Sequence, residues 1–324
     1  MEIPVFVLFG PTASGKTALL ERLFGAGLPA EIISADSMQV YRGMDIGTAK
    51  PSPEERKKIT HHLIDIRNPD EQFNAGEFVR LAEEACFAVN RRSNLPVVSG
   101  GTGFYLKNLV LGLSEAPPSN QAIRTALREE LVQKGAVSLM EELAKTDPVS
   151  AGRIHIHDEY RLLRALEVYR LTGRPLSSYA SPWSGKADGA LSFSGKNPFR
   201  FLLAGLRWNR EELYRRINAR TSAMFRLGLP GEVRRLFEAG FSPAHPGLRA
   251  IGYREFFVEE GGVWRISEDL AGVENLVAQN SRRYAKRQIT FFASLSGVKW
   301  IDCGTGCDPE REIRRMLEEF PVFQ

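Results

Sequence analysis

Gly10-Pro11-Thr12-Ala13-Ser14-Gly15-Lys16-Thr17 follows directly on the apolar run Val5-Phe6-Val7-Leu8-Phe9 and leads straight into Ala18, Leu19, Leu20 and Leu23. A short buried strand, a loop of small residues and a helix start form the setting of a phosphate-binding loop. Its backbone N–H groups converge on phosphate oxygens, and the positive end of the helix dipole lies behind them. In that setting Lys16 balances phosphate charge and Thr17 is placed to hold a magnesium ion. An ordinary glycine-rich turn would need neither the strand nor the helix.

Working outward, further strand-like runs occur at Glu31 to Ser34, Pro96 to Ser99, Phe201 to Leu206 and Val298 to Ile301, separated by helical patterns. Such alternation predicts an α/β fold, a P-loop parallel sheet with helices on both faces. Between the third and fourth runs lies a detour with helical periodicity at Asn120 to Ala144 and Asp158 to Leu171. It opens at Pro117 and Pro118 and closes in the Gly/Ser/Pro-rich stretch Ser181 to Pro198. An inserted helical domain over residues 117–199 is therefore expected, with residues 1–116 and 200–324 forming the core. From Arg210 to about Ser294 the pattern is again helical, broken at Gly228 to Gly231, Ser242 to Gly247 and Gly261 to Gly262.

The chain of 324 residues is 43% hydrophobic, enough for a sizeable core. No basic leader precedes the first strand and no apolar run is long enough for a bilayer, so a cytoplasmic protein without a membrane span is expected. Cys86, Cys303 and Cys307 cannot all pair and lack the company a structural zinc site needs. The net charge is +4, with most arginines beyond residue 150, which favours an anionic partner.

Ligands of open parallel sheets sit beyond the carboxyl ends of the strands. After the second strand comes a polar, glycine-bearing segment, Ala35 to Lys50, too long for a connector, with Asp36 its first carboxylate. Asp36 reads as a metal-holding acid of a nucleotide enzyme, as a general base, or as a simple turn cap. After the third strand, Gly100-Gly101-Thr102-Gly103-Phe104-Tyr105 lets backbone approach a ligand and offers the Thr102 hydroxyl. The same segment could also merely cap the helix Phe104 to Leu111. No other strand ends in an acid suited to a second nucleotide motif, which counts against a simple kinase.

Two helices are basic. Arg161 and Arg164 share a face, and projecting Asn275 to Phe292 as a helix puts Gln279, Arg282, Arg283, Lys286 and Thr290 on one side, with Val277, Tyr284 and Phe292 opposite. Such stripes can follow a phosphate backbone or can be solvated surface. Leu248-Arg249-Ala250-Ile251-Gly252-Tyr253-Arg254 mixes arginine with an aromatic in a way that suits single-stranded RNA. The pairs His61/His62 and His155/His157 lack metal-binding spacing; His62 could orient a loop near the cleft.

Taken together, these residues closely resemble the tRNA dimethylallyltransferases over nearly the whole chain. The resemblance rests on GPTASGKT at Gly10 to Thr17, DSMQVYRGMDIGTAKP at Asp36 to Pro51, HHLIDI at His61 to Ile66 and GGTGFY at Gly100 to Tyr105. It continues through RLLRALEV at Arg161 to Val168, IGYR at Ile251 to Arg254 and KRQIT at Lys286 to Thr290. Tyr160 stands where many members carry glutamine.

The resemblance implies transfer of a dimethylallyl group from dimethylallyl diphosphate to N6 of adenosine 37 in tRNA. The phosphate loop (Gly10, Pro11, Thr12, Ala13, Ser14, Gly15, Lys16 and Thr17) would hold the donor's diphosphate rather than ATP, with Mg2+ on Thr17 and Arg220 on the diphosphate. Asp36 would be the base, Lys16 would neutralise the leaving group, and Thr102 would hydrogen-bond its bridging oxygen. Contacts to the tRNA anticodon stem-loop would come from Asp36, Ser37, Met38, Gln39, Thr102, Arg124, Arg161, Arg164, Arg249, Gly252, Tyr253, Arg254, Arg282, Arg283, Lys286, Arg287 and Gln288. The insertion would clamp the anticodon stem, the target base would leave its stack, and the chain would act as a monomer. A small-molecule kinase and an RNA-binding regulator are the alternatives.

Overall fold

A computed structural model describes residues 2–25, 28–179, 198–304 and 306–320. Contacts divide the chain into two compact units, one formed by Met1–Val110 with Asp188–Gln324, the other by Leu111–Ala187. Most of the Gly/Ser/Pro-rich stretch expected at the end of the insertion lies outside the described residues.

The elements run β1 (Ile3–Phe9), α1 (Lys16–Phe24), β2 (Ala30–Ser34), α2 (Pro53–Lys58), β3 (His61–His62), α3 (Ala75–Arg91), β4 (Leu95–Gly100) and α4 (Gly103–Leu111). Then come α5 (Gln121–Thr146), α6 (Pro148–Ala151), α7 (Glu159–Thr172), β5 (Phe199–Arg207), α8 (Arg210–Arg226) and α9 (Leu229–Glu238). The chain continues through β6 (Phe257–Glu260), β7 (Val263–Ile266), α10 (Leu270–Phe292), β8 (Lys299–Asp302) and α11 (Pro309–Glu318).

Six strands form one parallel sheet in the order β3-β2-β4-β1-β5-β8. With β1 at its centre, the phosphate loop leaves the middle of the sheet. Period-two alternation sends Phe6, Leu8, Ile32, Val97 and Leu206 to one face, where they meet Leu19, Leu20 and Leu23 of α1 and Ile313, Met316 and Leu317 of α11. On the other face Phe9 meets Phe292 of α10, ring centroids 4.6 Å apart. Burial on both sides explains why β1 reads as an unbroken apolar run.

Two elements depart from the sequence reading. β3 is a two-residue edge strand built from histidines, too short and polar to show a period. The supposedly helical region after Arg210 contains the antiparallel hairpin β6–β7, turned at Gly261 and Gly262, both at positive φ (58° and 81°). Paired positive φ values are what a tight two-residue hairpin turn requires.

In the second unit, α5 and α7 enclose Leu127, Leu139, Leu143, Leu162, Leu163 and Leu166. Gly135, at φ 77° and ψ 165°, kinks α5.

Candidate active site

The phosphate loop owes its shape to two left-handed residues, Ala13 (φ 62°) and Gly15 (φ 90°), and no side chain caps α1, so its first N–H groups face the loop. The loop is gripped from behind. Arg216 Nε donates to the Ala13 carbonyl (2.9 Å) and Trp208 Nε1 to the Ser14 carbonyl (3.0 Å), while the Arg216 guanidinium lies 4.4 Å from the Trp208 ring centroid. Sequence reasoning did not single out this pair; the contact spans about two hundred residues and has no local signal.

Lys16 Nζ donates to the carbonyls of Gly10 (3.0 Å) and Pro11 (3.1 Å). Burial, and after it the charge of Arg220, hold its pKa down at about 8 against the pull of Asp36. Burial lowers the pKa of Arg220 too, again opposed by Asp36.

Asp36 opens the loop after β2. Its Oδ1 accepts from Met38 N (2.8 Å) and Gln39 N (3.3 Å), an Asx-type turn that fixes the carboxylate. Ser37 N donates to Thr102 Oγ1 (3.0 Å), and Thr102 Oγ1 lies 3.3 Å from Ser37 Oγ, so Thr102 ties the loop after β4 to the loop after β2. Gln39 Oε1 accepts from Ser34 Oγ (2.9 Å), and its amide donates to the Ala49 carbonyl (3.3 Å).

Two cavities meet here. One, of about 150 Å³, is lined by Lys16, Thr17, Ser34, Gln39, His61, Ser99, Gly100 and Gly101. The other, of about 220 Å³, is lined by Ser37, Met38, Gly47, Ile217, Thr221, Met224, Ala250, Ile251, Gly252 and Val277. Thr12, Asp36, Thr48, Arg220 and Tyr284 line both. Thr102 is absent from both linings; its hydroxyl meets Ser37 and Tyr284, which are on them. Tyr284 is pushed up to about 12 by burial and by the Asp36 charge, so its phenol stays protonated.

The segment Asp45 to Lys50 forms the remaining wall. Lys50, with 1% of its side chain exposed, donates to Asp45 (2.6 Å), Asp65 (2.6 Å) and the Tyr41 carbonyl (2.8 Å), and Arg56 completes the cluster on Asp65 (2.9 Å). Ala49, Leu63 and Asp65 are all at positive φ in this segment, a local strain that the surrounding contacts hold in place. On the far side His62 pairs with Glu31 (2.7 Å), and it is His61 that lines the cavity.

Several residues expected to contact nucleic acid are otherwise engaged. Gln288 is buried, accepts from Thr12 N (2.9 Å) and donates to the Gly101 carbonyl (2.7 Å), joining the phosphate loop to the loop after β4. Tyr253 is fully enclosed and gives its hydroxyl to Glu232 (2.7 Å), so it has no free face for stacking. Arg164 turns onto buried Glu167 (3.0 Å) and the Pro117 carbonyl. Arg161 stays 73% exposed despite its pair with Asp158, and Arg124 lies over the Tyr160 ring, 4.7 Å from its centroid. Arg283, Lys286 and Arg287 are exposed along α10; Arg282 donates to Asn218 (2.5 Å), Arg249 to the carbonyls of Pro243 (3.0 Å) and Ala244 (2.8 Å), and Arg254 to Glu255 (3.2 Å). Gly252 sits at φ 97° against the Gly47 carbonyl, where a side chain would be strained.

Among the described residues no cluster of three His, Cys, Asp or Glu side chains could hold a metal, and no helix is long and apolar enough to cross a membrane. A divalent ion would have to rest on few protein oxygens, and the Thr17 hydroxyl on the cavity wall provides one.

The model of the IPP transferase family matches residues 39–295. The tRNA dimethylallyltransferase of Geobacter sulfurreducens is 42% identical over 91% of this chain and 91% of its own, and that of Geobacillus kaustophilus 43% identical over 92% and 90%. The crystal structure of the tRNA isopentenylpyrophosphate transferase of Bacillus halodurans superposes with a TM-score of 0.64 at 34% identity, covering 98% of this chain and 95% of that one. A phosphate loop, a carboxylate at the junction of two cavities and these likenesses agree: the chain belongs to the IPP transferase family, the prenyltransferases that modify tRNA.

Proposed function

We propose that dimethylallyl transfer to N6 of adenosine 37 takes place where the two cavities meet, with the donor's diphosphate on the Lys16 side and the adenine on the Met38 side. The observation that supports this reading is the shared wall: Asp36 lines both spaces, and so would face both ends of the bond being made.

In the step itself the donor's C1–O bond breaks as the N6–C1 bond forms, and the N6 proton passes to Asp36. The adenine amine is a weak nucleophile because its lone pair is delocalised into the ring, so removing the proton as the bond forms lowers the barrier. The departing diphosphate is stabilised by the loop N–H groups, by Lys16 and by Arg220. Thr102, adjacent to Ser37 and Tyr284 of the lining, is the proposed donor to the bridging oxygen once its hydroxyl turns from Ser37. Held by Thr17 and the diphosphate, magnesium would supply further neutralisation of the leaving group. Met38, Met224, Ile251 and Val277 give the acceptor side an apolar lining suited to a base removed from its stack. The second unit, with exposed Arg161, is the proposed clamp for the anticodon stem, and the enzyme is proposed to work in the cytoplasm as a monomer.

Incubation with dimethylallyl diphosphate and unmodified tRNA, followed by nucleoside mass analysis, should give N6-dimethylallyl adenosine. ATP consumption without that product would assign a kinase, and neither outcome would leave an RNA-binding regulator.

A further inference from the structure

Glu232 on α9 is 2% exposed and forms no salt bridge among the described residues. Its carboxylate instead accepts from the backbone N–H groups of Asp45 (3.0 Å), Ile46 (2.8 Å) and Gly47 (3.1 Å) and from the Tyr253 hydroxyl (2.7 Å). A buried carboxylate is tolerated only when its lone pairs are met, and here four donors meet them. Those donors come from two different loops. Gly47 and Thr48 of the first and Ala250, Ile251 and Gly252 of the second form adjoining parts of the lining of the 220 Å³ cavity.

The two segments are in close apposition. A Cβ at Gly47 would stand 2.5 Å from the Tyr253 ring, and one at Gly252 3.4 Å from the Gly47 carbonyl. The first segment also runs on to the reacting carboxylate. The Thr48 and Ala49 carbonyls face the Gln39 amide, and Gln39 N–H reaches Asp36.

We propose that Glu232 is a positioning residue for the acceptor: a buried carboxylate that clasps two adjoining segments of the lining and so sets the shape of the slot that receives the adenine. The inference rests on the acceptor-side reading of this cavity. Glu232 lines neither cavity and touches no substrate. Its effect should fall on the acceptor more than on the diphosphate, because the phosphate loop is held independently by Arg216, Trp208 and Gln288.

Glu232→Gln keeps the shape but leaves one oxygen for four donors. The expected result is a fall in kcat/KM for tRNA of about tenfold to a hundredfold, the scale of a small misplacement of reacting groups. The Kd of an unreactive dimethylallyl thiodiphosphate should remain unchanged. Tyr253→Phe removes one donor, keeps the charge, and should lower the same tRNA parameter less, with no added loss in the double variant. Equal losses on donor and acceptor sides, or a wild-type tRNA parameter in Glu232→Gln, would overturn the proposal. Should Glu232→Gln fail to fold, a wild-type tRNA parameter in Tyr253→Phe would do so. Asp36→Asn, assayed in parallel, tests the underlying reading separately: wild-type turnover there refutes the cavity assignment, whereas its loss beside an unaffected Glu232→Gln refutes the clasp alone.

Discussion

Asp36 and Arg220 stand together at the junction of two cavities, and the carboxylate's charge opposes the lowering of the Arg220 pKa by burial. A base and an anion-binding cation thus share one wall. The Arg220→Ala variant should weaken donor binding and slow transfer, because a buried charge-assisted contact to the diphosphate is lost. Titration with the thiodiphosphate analogue checks this, and unchanged affinity would remove Arg220 from the donor site.

Lys16 gives a pH signature. With a pKa of about 8 in the free protein, it is an ammonium below that value and a neutral amine above it. Binding an anion favours the charged form, so the complex has the higher pKa. Donor affinity should therefore be level from neutral pH to about 8 and then fall, by about tenfold per unit at most. Analogue Kd values between pH 7 and 9.5 test this, and Lys16→Arg should abolish the bend.

Arg161 and Arg164 should separate cleanly. The Arg161→Ala and Arg283→Ala variants remove exposed charges; each should weaken tRNA binding and flatten its salt dependence by about one unit of slope. Arg164→Ala instead strips buried Glu167 of its cation and should cost about 3 kcal/mol of stability in that unit. Filter binding at several salt concentrations and thermal unfolding distinguish the two behaviours.

Gln288→Ala should act on the donor side. It leaves the Thr12 N–H and the Gly101 carbonyl without their partners, each at about 1–3 kcal/mol. Lower thermal stability with a raised donor KM is expected; a change confined to tRNA binding would restore Gln288 to the nucleic-acid surface.

The contrast between Gln288 and Lys16 shows what the sequence made legible. Lys16 lies in a motif whose strand, loop and helix are contiguous, so its setting could be read from eight residues. The resemblance puts Gln288 among the tRNA contacts, yet it faces inward because the phosphate loop, far away in sequence, is one of its partners. Tyr253 was misjudged for the same reason: its hydroxyl finds Glu232, and no local pattern announces that. The parallel strands were readable because burial on both faces makes them continuously apolar. β3 and the β6–β7 hairpin were not, since one is two polar residues long and the other alternates over only four positions a side. The Gly261-Gly262 pair was a hairpin signal taken for a helix break.

The account stands most directly on single-turnover prenylation of tRNA by Asp36→Asn, which keeps an acceptor oxygen for Met38 N and Gln39 N and removes only the basicity. The rate should fall by about 10²- to 10⁴-fold while tRNA affinity stays as in the wild type. Transfer at the wild-type rate would contradict it.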